Sequence, residues 1–107
     1  MYKLLIADDE QLERNAIEHI LKASTLPLII LKAKNGREAV EIAQSTPFDI
    51  ALLDIKMPGI NGIEAAKRIK EISPHCIVIF LSALNTFDFA QFFLRGAFYF
   101  SPATKVL

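Results

Sequence analysis

The chain has 107 residues, room for one compact domain, and 52% of them are hydrophobic, which suits a buried core and argues against disorder. Its 12 Lys and Arg balance its 12 Asp and Glu, so charge makes no case for binding nucleic acid or an anionic membrane. The single cysteine, Cys76, allows no internal disulfide and fits a reducing, cytoplasmic setting.

The first apolar run, residues 3–7, is short and meets three acids at once, so it reads as a buried strand and not as a secretory signal. A helix is expected over about 10–23, with Leu12, Ala16, Ile17, Ile20 and Leu21 on its apolar face. After Pro27, residues 28–32 read as a second strand. Asn35-Gly36 marks a turn before a short helix over 37–44, with Ala39, Val40, Ile42 and Ala43 facing inward.

Pro47 precedes a third strand over 48–53. Residues 54–62, with a proline and two glycines, form a loop. Asn61 is placed to cap the following helix, whose apolar face is expected to carry Ile63, Ala66, Ile69 and Ile72 before Pro74. Residues 76–81 form the most evidently buried strand. A helix over about 85–95, stopped by Gly96, and a fifth strand over 97–100 complete the pattern. No run of about 18 apolar residues exists to span a membrane.

Five apolar strands alternating with helices imply a doubly wound α/β fold, a five-stranded parallel sheet covered on both faces. Sites in such folds lie at the carboxyl ends of the strands, near the switch in strand order. That rule selects Asp8 and Asp9 after the first strand, Asp54 after the third and Ser82 after the fourth. Three carboxylates in one pocket repel and require a cation, and an oxygen-only ligand set favours Mg²⁺ or Mn²⁺. A cation so held receives a phosphoryl group, with one carboxylate free to act as nucleophile. Each residue alone has a plainer reading: Asp8-Asp9 as helix caps, Asp54 as a turn residue. Their joint occurrence at successive strand ends favours the site.

The segments LLIADDE at 4–10, ALLDIKMPGINGIE at 51–64 and FLSA at 80–83 resemble the receiver domains of bacterial two-component response regulators. The middle segment, Asp54 with Met57-Pro58 and Gly62, is the most specific. The resemblance runs to about residue 97. It implies a flavodoxin-like (βα)5 fold, a Mg²⁺ ion and a sensor histidine kinase as partner. By that likeness Asp54 is the phospho-acceptor, Asp9 a direct metal ligand, Asp8 its outer partner, and Lys56 a ligand through its backbone carbonyl. Ser82 is the hydroxyl that moves toward the phosphate.

The likeness then degrades. The family has a Lys-Pro pair after the fifth strand. By the proline, Ser101 before Pro102 stands where the lysine belongs; by distance from Ser82, Lys105 does, and both alignments stay open. The whole chain, 1–107, reads as a single receiver domain, with its last strand and helix truncated or divergent and any output domain absent.

Six of the eight phenylalanines lie between positions 87 and 100, which implies an apolar patch on the helix over 85–95. In the family that helix and the fifth strand form the signalling and homodimerisation face, with Tyr99 or Phe100 as the aromatic that follows Ser82. The run from Ser82 to Gln91 resembles receivers of AraC-type regulators, so the expected output is transcriptional, with DNA reached only through a separate domain. His19, His75 and Cys76 are read as bystanders, Asp49 as a strand-start residue and Met57 as packing. Two other readings stand beside the switch: a phosphate-independent docking module, and a Mg²⁺-dependent aspartyl-phosphate phosphatase. The second is disfavoured by Lys56, where such enzymes carry an acid.

Overall fold

A computed structural model of the chain describes residues 1–81. The expectations for Ser82, the helix over 85–95, the fifth strand, Tyr99, Phe100, Ser101 and Lys105 lie outside the described residues.

The elements alternate as β1 (Tyr2–Ala7), α1 (Gln11–Ala23), β2 (Leu28–Ala33), α2 (Gly36–Ser45), β3 (Ile50–Leu53), α3 (Gly62–Ile72) and β4 (Ile77–Phe80). All described strand pairs are parallel and the order is β2-β1-β3-β4. The chain therefore leaves β1 toward one side, returns, and continues past it on the other. This is the flavodoxin-like order, with its switch point between β1 and β3. None of the described helices is long and apolar enough to cross a membrane.

Strand alternation explains why both faces must be covered. On β1, Leu4 and Ile6 join Ile17 and Leu21 of α1, while Leu5 and Ala7 join Ala39, Val40 and Ala43 of α2 and Ala65, Ala66 and Ile69 of α3. β3 divides the same way, Ile50 and Leu52 to the α1 side, Ala51 and Leu53 to the α2/α3 side. Leu4, Leu5, Ile6, Leu52 and Leu53 are wholly buried, each stabilising the fold by about 1.5–3 kcal/mol relative to exposure. The alanines on α2 and α3 let those two helices pack on each other as well as on the sheet.

Strand ends follow the hydrogen bonds more than the apolar runs. β1 begins at Tyr2 because its N–H donates to Pro27 O at 2.9 Å. β3 begins at Ile50: Phe48 is buried yet stands before the ladder. β4 begins at Ile77 because the Cys76 N–H turns back to Ser73 O at 3.0 Å. Asn35 and Asn61 cap α2 and α3, accepting from Glu38 N at 2.8 Å and Glu64 N at 2.9 Å.

Two helix faces differ from their expected phase. Leu12 is 84% exposed, because it stands about 180° around α1 from Leu21, in a first turn that lies away from the sheet contacts of Ile17. On α3, Ile63 and Ile72 are 42% and 40% exposed, and the inward stripe is Gly62, Ala65, Ala66 and Ile69. Small residues face inward there because α3 must fit against both α2 and the sheet, which leaves no room for a row of isoleucines.

Candidate metal and phosphoryl site at the strand ends

The register of the sheet builds the site. Ala7 of β1 pairs with Leu53 of β3, so the next residues, Asp8 and Asp54, leave the sheet side by side. Backbone bonds extend the ladder one step beyond the strands: Asp54 N donates to Ala7 O at 2.9 Å, and Asp8 N to Ala33 O at 3.2 Å. Continuing the alternation of residues 4, 6 and 8 on β1 and 50, 52 and 54 on β3, both acids emerge on the α1 side. Carboxylate oxygens of Asp8, Asp9 and Asp54 lie within 4.8 Å of one another.

Burial differs across the three. Asp8 is 2% exposed, Asp54 is half-buried and Asp9 is exposed. The Asp8 carboxyl is pushed up to about 6, first by burial and then by the charges of Asp54, Glu13 and Asp9; the N–H of Glu10, 2.9 Å from Oδ1, opposes the shift. A cation would relieve both causes at once. The donor set is oxygen only and grades from a buried acid to an open one, which fits a hard divalent ion that keeps water or ligand positions free. The helix-capping alternative for Asp8-Asp9 does not hold, since Glu10 occupies the N-cap position of α1 and no side chain caps there.

The loop after β3 is tightly held. Gly62 N donates to Ile55 O at 2.9 Å. A Cβ on Gly62 would collide with the Asp54 carbonyl oxygen and stand 2.8 Å from its carbon, so only glycine lets α3 start this close to Asp54. Met57 is buried in the core, as expected for a packing residue, and the Lys56 side chain is exposed. Asp8, Asp9 and Asp54 are thus brought together, Lys56 lies in the adjoining loop, and Ser82 and Lys105 lie outside the described residues.

Two contributors escaped sequence reasoning. Arg14, one turn into α1, donates from Nη1 to the Asp8 carbonyl at 2.6 Å and ties the helix to the acidic strand end. The backbone N–H of Glu10 holds Asp8 Oδ1. Neither has a sequence signature beyond proximity to the two aspartates. A cleft of about 210 Å³ opens between α1 and the end of β2; of its three cations, Arg14 is engaged by Asp8 O and Lys32 by Glu18, and Lys34 is exposed. His19 and His75 are exposed, apart from the cluster, and Cys76 is core.

Known proteins are similar in sequence and fold. The receiver domain family of response regulators matches residues 4–100. YesN of Bacillus subtilis, an uncharacterized transcriptional regulatory protein, is 36% identical over 92 residues, which span 85% of this chain and 25% of YesN. A two-component transcriptional regulator AraC from Clostridium phytofermentans superposes with a TM-score of 0.67 at 35% identity, covering 75% of this chain and 65% of that one. The response regulator TrrA of Thermotoga maritima, solved in complex with Mg²⁺-BeF, gives a TM-score of 0.68 at 34% identity over 75% of this chain and 68% of that one. The chain thus spans about a quarter of the length of YesN, and the match covers nearly all of the chain itself: it belongs to the response regulator receiver domain family.

Proposed function

We propose that this chain is a phospho-switch in which Asp54 accepts a phosphoryl group from the phosphohistidine of a sensor histidine kinase. The observation that carries the reading is the convergence of Asp8, Asp9 and Asp54 within 4.8 Å at the switch point of the sheet. Asp8 and Asp9, with Asp54 and the Lys56 carbonyl, would hold Mg²⁺, Asp8 acting as the outer partner. The ion supplies neutralisation of the clustered carboxylates and of the phosphoryl oxygens.

An Asp54 carboxylate oxygen attacks phosphorus; the P–N bond to the kinase imidazole breaks as the P–O bond forms, and the imidazole leaves with a proton. Asp54 is suited to this because its backbone is pinned to Ala7 O and the residue is only half-buried. Ser82 and Lys105 are assigned the roles of phosphate-binding hydroxyl and ammonium. The added charge would draw Ser82 inward and bias the face of the helix and fifth strand expected from the sequence over 85–100, which would also serve as a homodimer surface. Residues 1–107 act as one receiver domain in the cytoplasm. Likeness to YesN and the AraC regulator supports a transcriptional output through a separate DNA-binding domain.

Incubation with Mg²⁺ and acetyl phosphate, or with beryllofluoride, tests the reading. Mg²⁺-dependent modification that peptide mapping places on Asp54 is expected. No modification, or modification elsewhere, overturns it; continuous turnover of many phosphate esters would indicate a phosphatase instead.

A further inference from the structure

We infer that Gly36, remote in sequence from the acids, is a positioning residue for the metal-binding carboxylates, and this rests on the function proposed above. Gly36 opens α2 and is buried. A Cβ at that position would collide with the carbonyl oxygen of Ile60 and stand 3.1 Å from its carbon and 3.2 Å from its Cβ. The start of α2 therefore lies directly on the backbone of the loop that carries Asp54.

That loop is gripped from both sides. Gly36 bears on Ile60 and Gly62 bears on Asp54 and Ile55, so the segment 54–61 is clamped between the first turns of α2 and α3. Ile55 and Ile60 also pack against the core beneath. Only Asn61, the N-cap of α3, separates Ile60 from Gly62. A push on Ile60 is passed through this short link to Gly62 and from there to the Asp54 carbonyl. The far end of Asp54 cannot yield freely, because its N–H is bonded to Ala7 O. The displacement falls on the Asp54 carboxylate and on its spacing from Asp8 and Asp9. A side chain at 36 thus disturbs the ion site without touching it, and groups that orient metal ligands commonly govern affinity by about 10–100-fold.

The test compares Gly36→Ala with Ile60→Ala, which keeps the atoms that meet Gly36 but frees the same loop from its packing on the core beneath, and with Ala43→Gly, which weakens α2 away from the loop. Two quantities are read: hydrogen exchange of the Gly62 amide in metal-free protein, and the Kd for Mg²⁺. Gly36→Ala is expected to speed the exchange and raise the Kd by about tenfold or more, Ile60→Ala by about threefold, and Ala43→Gly to alter neither at a comparable loss in Tm. Wild-type values in both loop variants, or equal effects from Ala43→Gly, overturn the inference. If Gly36→Ala does not fold, Ile60→Ala still decides whether loosening this loop alters the ion site, and wild-type values there overturn the inference. If the wild-type protein binds no Mg²⁺, the proposed function fails, while exchange of the Gly62 amide still judges the clamp.

Discussion

Two aspartates bracket β3, and their surroundings are opposite. Asp49, before the strand, accepts the Lys3 N–H at 2.8 Å through its side chain, and its own backbone bonds Lys3 O and Ile77 N, tying β1, β3 and β4 together. Nearby, Lys70 donates to Pro74 O at 2.8 Å and Cys76 O at 2.7 Å, so this end of the sheet offers cations and donors to its acids and carbonyls. Asp54, after the strand, has equally good backbone anchorage, yet its side chain meets two more carboxylates. The same residue type is a staple at one end of a strand and a member of an acidic cluster at the other. The neighbours differ: the Lys3 amide meets Asp49, whereas two further carboxylates gather beside Asp54, and like charges gathered together favour a cation.

The sharpest way to break this contrast is to neutralise both acids. Asp54→Asn is expected to abolish Mg²⁺-dependent modification by acetyl phosphate, whereas Asp49→Asn keeps it and loses about 1 kcal/mol of stability, read by denaturant unfolding. Modification that persists in Asp54→Asn would end the comparison. Next in size, Asp9→Asn should weaken Mg²⁺ by about tenfold or more in a titration, while Lys70→Met, at the other end, leaves Mg²⁺ affinity unchanged and costs about 1 kcal/mol, chiefly through the part-buried bond to Cys76 O.

Asp8 gives a pH test with a definite sign. Its carboxyl is raised from 3.8 to about 6 in the folded chain, by burial first. The contribution to stability is therefore complete below the unfolded value and lost as pH rises through about 6. In metal-free protein, Asp8→Asn should raise stability near neutral pH by about 1–2 kcal/mol, the gain vanishing near pH 4 and shrinking when Mg²⁺ is added to both proteins. A gain of equal size at all pH values would show that packing and not charge is responsible. Smallest of all is the effect at Cys76, whose thiol burial pushes up to about 11 against the opposing charge of Lys70. Iodoacetamide should label it only as fast as the protein unfolds.

Much of this is legible in the order of the residues. Apolar runs of four to six residues mark the strands, Asn61 announces a cap, and the acids after the first and third strands point to a shared pocket. Helix phase is legible only in part. Leu12 and Ile63 satisfy a helical spacing and still face outward, because spacing says that a stripe exists and contact with the sheet says where it lies. The glycines at 36 and 62 read in the chain as turn and loop residues; their close approach to Ile60 and Asp54 joins segments that local pattern cannot relate.

Chain order and residue type by themselves determined the alternation of strands and helices, the parallel sheet, and the acids at its carboxyl edge, because burial on two faces admits few arrangements of short apolar strands. Tertiary structure alone decided that Asp8 is the buried member of the cluster, that Arg14 and the Glu10 amide hold it, and that two glycine contacts clamp the Asp54 loop. Those outcomes depend on register and on distances of a few ångströms between segments far apart in the chain, and such distances exist only once the sheet has formed.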